Sequence, residues 1–177
     1  MEDSLNADAI VAATRAWIET TVIGLNLCPF AREVHAANRI RYFASDADSP
    51  EKLRAHLRDE ILLLRSLDPA QTETTLIIHP RVLADFLEYN DFLDIADEAL
   101  DELGLAGVFQ IASFHPRYQF QGTEPDDVTN GTNRSPYPML HLLREASVEK
   151  AIAAYPDADK IPERNIETMR RIGPKRT

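Results

Sequence analysis

The sequence predicts an α/β fold: a small, mostly parallel sheet of three or more strands flanked by helices, in two or three layers. Three observations predict it. Apolar runs at 39–45, 74–80 and 107–116 have strand character. Helical patterns separate them, giving the β-α-β-α-β alternation of parallel strands joined by crossovers. A hydrophobic content of 44% over 177 residues suffices for one packed core, so a single domain over 1–177 is expected. A ferredoxin-like α+β arrangement is the alternative, and it needs an antiparallel strand that the pattern does not display.

Each element has a local reason. Asn6 can cap a first helix that carries Ile10, Val11, Ala13, Trp17, Ile18 and Val22 on one face and ends near Gly24. In the strand 39–45, Ile40, Tyr42 and Ala44 alternate with Arg39, Arg41 and Ser45. Ser49-Pro50-Glu51 supplies a cap, a first-turn proline and a first-turn acid to a helix with Leu53, Leu57, Ile61 and Leu64 at helical spacing. The β-branched run 74–80 suits a strand buried on both faces. From Val82 to Leu103 the apolar spacing is helical, with a break expected at Tyr89-Asn90-Asp91 and a stop at Gly104. The third strand follows, then a long loop. Met139 to Glu145 begins helically, a short helix starts at Ser147, and a last one runs from Ile161 to Ile172 before a tail, 173–177, that is expected to fray.

The loop 115–138 shows neither a two-residue nor a 3.6-residue apolar period. Loops of this length in compact domains are functional or disordered, and Tyr118, Phe120 and Tyr137 argue for an ordered, site-forming one. It opens on His115-Pro116-Arg117, and the second strand ends on His79-Pro80-Arg81. If those strands are parallel, both histidines leave the same edge of the sheet, where ligands of open α/β sheets bind. Two imidazoles there suit acid–base work or metal ligation, although zinc ordinarily takes three or four protein ligands. His79 and His115 are therefore candidate catalytic residues and candidate ligands of a divalent metal. The competing reading has each His-Pro merely ending its strand, with the imidazole bonded to nearby backbone. Arg81, Arg117 and Arg134, with Tyr118, Asn133 and Tyr137, are the candidate substrate-binding residues. Guanidinium groups pair with carboxylate or phosphate, so an anionic small molecule is the expected partner. Glu124, Asp126 and Asp127 could instead pair with these arginines and fix the loop.

Cys28 is the third catalytic candidate. Pro29 can start a helix after it, and a helix N-terminus lowers a thiol's pKa. A buried, inert cysteine is the alternative. His56 is expected on the surface, and His141, among leucines, as a structural histidine.

Nineteen Lys and Arg against 29 Asp and Glu give a net charge of −10, the wrong sign for a nucleic-acid partner. No apolar stretch is long enough to span a membrane, and MEDSLNADAIV is not a secretory signal, so a cytoplasmic location is expected. Neither a phosphate-cradling G-x-x-x-x-G-K-[ST] nor a G-x-G-x-x-G occurs, so no nucleotide cofactor is supported.

GLNLCPFA (24–31), LIIHP (76–80), YNDFLDIAD (89–97), SFHPRYQF (113–120) and TNRSPYPMLHLLRE (132–145) together resemble an uncharacterised bacterial family, domain of unknown function 1415. The resemblance implies a single-domain protein of about this length and brings no established activity. The expected function is a small soluble enzyme acting on an anionic metabolite through a His/Arg site. A non-catalytic anion- or peptide-binding module, or a thiol-dependent redox enzyme using Cys28, is the alternative.

Overall fold

Four strands form the sheet: β1 (Ile40–Ala44), β2 (Thr74–Ile78), β3 (Phe109–Phe114) and β4 (Met139–Arg144), in the order β1-β2-β4-β3. This computed structural model describes residues 6–174. Of the tail 173–177 only Gly173 and Pro174 fall within that range. β1 pairs parallel with β2, while β4 pairs antiparallel with both β2 and β3. The sheet is therefore mixed, which corrects the expectation of a mostly parallel one. β1, β2 and β3 do share one direction, with β4 reversed and inserted between β2 and β3. The strand is the segment 139–144, which the spacing assigns to a helix. Its alternation is masked because both faces are covered: Met139, Leu140 and Leu142 are all buried.

Helices cover both faces. α3 (Pro50–Ser66) and α4 (Phe86–Glu102) lie on one face, where Leu53, Leu57, Ile61 and Leu64 meet Ile77, Tyr89, Phe92, Leu140 and Leu142. On the other face α1 (Ala7–Trp17), extended by a π-helical turn over Ile18–Ile23, sets Ile10, Trp17 and Ile18 against Leu76, Ile78 and Met139. Ser49 caps α3, its side chain accepting the Lys52 N–H at 3.2 Å, with Pro50 at the first position as expected. Asp85 caps α4, which starts four residues later than its apolar spacing begins and runs unbroken through Tyr89-Asn90-Asp91. Gly24 has φ −60°, so it is not the left-handed helix end expected. A Cβ there would lie 2.3 Å from the Thr20 carbonyl oxygen, and the glycine is needed for the tight π-turn. The left-handed residue is Asn26, at φ 52°.

α2 (Ala31–Ala36), α5 (Glu145–Ala154) and α6 (Ile161–Ile172) complete the elements. α6 packs against a 3₁₀ segment, Val128–Asn133, inside the long loop. Among the described residues no helix is long and apolar enough to cross a membrane.

Candidate functional site

Because β2 and β3 run the same way, His79 and His115 leave the same sheet edge, as the shared His-Pro-Arg ends suggest. They are separated by the start of β4: Met139 pairs with Ile78 on one side and Phe114 on the other. Tyr89, from α4, fills the space between them, with its ring 5.9 Å from that of His79 and 4.9 Å from that of His115. Its hydroxyl donates to the Met139 carbonyl at 2.7 Å and accepts the Phe114 N–H at 3.0 Å. A side chain thus stands in for one rung between β3 and β4.

Both imidazoles hold one short segment. His79 Nδ1–H donates to the Val82 carbonyl at 3.1 Å, and His115 Nε2–H donates to the Leu83 carbonyl at 3.0 Å. His115 Nδ1 accepts the Arg117 N–H at 3.0 Å. Leu83 is held at φ 60°, a left-handed conformation that costs a branched L-residue about 1–2 kcal/mol. The two His-Pro pairs therefore clamp consecutive carbonyls of a strained turn, with both rings fully buried. The Nδ1 that accepts the Arg117 N–H fixes His115 as neutral, and burial favours the neutral form of both rings. Burial lowers the His79 pKa to about 4, with the neighbouring His115 adding to the effect and the Val82 bond opposing it. Burial also lowers that of His115, against the pull of its bond to Leu83.

As catalytic or metal-binding candidates the two histidines differ. Both ring nitrogens of His115 are engaged by backbone, so it has no lone pair to offer. His79 Nε2 is buried and has no hydrogen-bond partner. Among the described residues no three of His, Cys, Asp and Glu converge as metal ligands.

The remaining candidates mostly build the loop. Arg134 donates from Nε to the Tyr118 carbonyl at 3.1 Å and from its guanidinium to the Pro125 carbonyl at 2.6 Å. The loop-fixing role expected for the acids thus falls to main-chain oxygens, while Asp127 caps Thr129. Asn133 lies along the outer side of β3, its carbonyl taking the His115 N–H and its Nδ2–H donating to the Ser113 carbonyl at 3.1 Å. Tyr118 packs on Phe86 and Phe120, and Tyr137 packs into the α1-side core. Arg81 and Arg117 are exposed at the rim.

Cys28 sits in the turn before α2. The helix starts at Ala31 rather than at Pro29, and burial pushes the thiol's pKa up against the opposing pull of the Phe30 and Ala31 N–H groups. This is the direction opposite to activation. Beside that turn lies a pocket of about 430 Å³, bounded by Asn26 and Pro29, by Tyr155, and by Arg164, Thr168 and Arg171 of α6. Asn165 ties its two walls together, donating to the Leu27 carbonyl at 2.9 Å. Arg164 lies over the Tyr155 ring, 5.6 Å from its centroid, and donates to the Asp157 carbonyl at 3.1 Å. Neither Arg164 nor Arg171 forms an ion pair with a described carboxylate, although Glu167 is on the same wall. Sequence reading missed this pocket. Its one signal is the i, i+7 spacing of the two arginines, which puts them on one helix face.

The structure also places His56 less on the surface than expected. Its Nδ1 is 2.8 Å from Ser45 Oγ and its Nε2 3.8 Å from Asp46. Ser45 is fully buried and accepts the Ala47 N–H at 3.1 Å, so this Ser-His-Asp grouping closes the end of β1 rather than presenting a nucleophile. His141 is structural as expected, with Nε2 2.8 Å from Thr74 Oγ1.

A family model described as a protein of unknown function (DUF1415) matches residues 9–177. No curated protein and no solved structure matches the chain.

Proposed function

The chain belongs to the DUF1415 family, and on that footing we propose that it binds a small carboxylate- or phosphate-bearing molecule in the pocket between α6 and the Asn26–Pro29 turn. The observation that carries this reading is the pair of guanidinium groups, two helical turns apart, that line a concavity without an ion-pair partner among the described residues. A net charge of −10 repels anions in general, so an anion needs a local exception of this kind. Stacking on Tyr155 and the bond to Asp157 preorient Arg164, which lowers the entropy lost on binding. Asn26 and Thr168 add hydrogen-bonding groups to the same walls. The reading is one of binding without catalysis, since no activated thiol or imidazole belongs to this wall.

One observation favours a second reading, an enzyme that works at the sheet edge: the buried, unpartnered Nε2 of His79. It would act as a base on an anionic substrate once the 80–85 segment moved aside.

Thermal unfolding with citrate and with inorganic phosphate, at constant ionic strength, separates the two. A ligand at tenfold excess over its Kd stabilises by about 1.4 kcal/mol. For a chain of this size that raises Tm by roughly 3–5 °C. Arg164→Ala with Arg171→Ala should abolish the rise and His79→Asn should keep it. The reverse pattern favours the second reading, and no rise with either anion overturns the pocket.

A further inference from the structure

We propose that the free edge of β1 takes up an extended, acidic segment of a partner protein as a fifth strand. The pairing alternates along β1: the Ser45 N–H donates to the Ile78 carbonyl at 2.7 Å, and the Arg39 carbonyl accepts the Glu73 N–H at 2.9 Å. In a parallel pair the odd-numbered residues therefore face β2, and Ile40, Tyr42 and Ala44 turn their N–H and C=O groups away from the sheet. No other described residue takes those groups.

The opposite edge is treated differently. Along β3, Asn133 of the long loop takes the His115 N–H and donates to the Ser113 carbonyl, so the loop covers the C-terminal end of that edge. Exposed edges are usually blunted in this way. β1 instead opens into a groove of about 510 Å³, walled by Val11 and Arg15 of α1 on one side and by Leu63 of α3 and Leu67 just past its end on the other. Tyr42 forms part of the floor. The Arg15 guanidinium sits 4.3 Å above its ring centroid, and its hydroxyl is buried without a hydrogen-bond partner.

The walls specify the occupant. Side chains of an added strand alternate between them. Those on the α1 side meet Arg15, which forms no ion pair with a described carboxylate. Those on the α3 side meet Leu63 and Leu67. An acidic–apolar alternation fits both. A second copy of this edge fits poorly, because its strand, Ile40-Arg41-Tyr42-Phe43-Ala44, brings no acid to Arg15.

The probe is fluorescein-labelled acetyl-VEVEVEV-amide, followed by polarisation against the full chain. Binding with a Kd below about 1 mM is expected. Acetyl-VKVKVKV-amide should bind at least tenfold more weakly, the opposite of what a protein of charge −10 would select without a local site. Arg15→Glu should weaken the acidic peptide at least tenfold. Two further peptides, N-methylated either at every Val or at every Glu, leave the protein untouched. One set should abolish binding and the other spare it, because only alternate amides of an added strand face β1. Equal binding of the acidic and basic peptides, equal loss with both methylated sets, or no binding overturns the proposal. So does a concentration-dependent dimer in sedimentation that the acidic peptide fails to dissociate, which would assign the edge to a second copy.

Discussion

Leu83 shows how single residues set the character of the sheet edge. Its left-handed backbone costs about 1–2 kcal/mol. Burying the leucine side chain returns roughly 1.5–3 kcal/mol, and each imidazole-to-carbonyl bond about 0.5–1.5 kcal/mol, so the clamp outweighs the strain. Burial holds both imidazoles neutral, and charging one inside the protein is costly, which makes this edge sensitive to acid. An unfolded His79 takes up a proton near 6.5, whereas the folded one resists until about 4. Between those values the unfolded state holds the extra proton, so stability is present above 6.5 and falls as the pH drops towards 4. For one fully buried histidine the slope is about 1.4 kcal/mol per pH unit, some 3 kcal/mol across the window. Urea unfolding of wild type and His79→Asn at pH 7, 5.5 and 4.5 measures it. The variant should be less stable at pH 7 and show a flatter decline, and parallel curves would contradict the assignment.

At the scale of elements, the central device is Tyr89 standing between β3 and β4. Its hydroxyl satisfies the Phe114 N–H and the Met139 carbonyl, which direct strand pairing would otherwise join. Tyr89→Phe leaves both groups orphaned, at about 1–3 kcal/mol each, less whatever the strands regain by closing. A loss of about 2 kcal/mol in denaturant unfolding is expected, with amide exchange at Phe114 accelerated more than in β1 or β2. Unchanged exchange at Phe114 would mean that the hydroxyl holds nothing together.

At the scale of the molecule, the long loop is part of the fold. Arg134 pins Tyr118 to Pro125, Asn133 covers the end of the β3 edge, and the 3₁₀ segment carries Asn130, whose side chain holds Phe120, Thr123 and Glu124. Trypsin should therefore spare Arg134 in the native protein. Early cleavage there, with the remaining chain still folded, would show that the loop does not depend on these bonds.

Elements whose signals are local were legible along the chain. The Ser49-Pro50 start of α3, the apolar run of β2 and the alternation in β1 are carried by neighbouring residues, and the β-α-β order along the chain carried the shared edge of the two His-Pro pairs. Long-range pairing and packing settled the rest. β4 has no polar face to display its period, because helices cover both sides of it, and its antiparallel insertion is a matter of pairing with distant strands. The unbroken α4 follows from Tyr89 being turned inward to the strand ends, a partner that periodicity cannot reveal. The histidines' roles were also decided at long range: which carbonyl each imidazole meets depends on how the turn after β2 folds back over the edge. The arginine pocket is assembled from segments more than a hundred residues apart, joined by the bond from Asn165 to Leu27, and no local spacing encodes that distance.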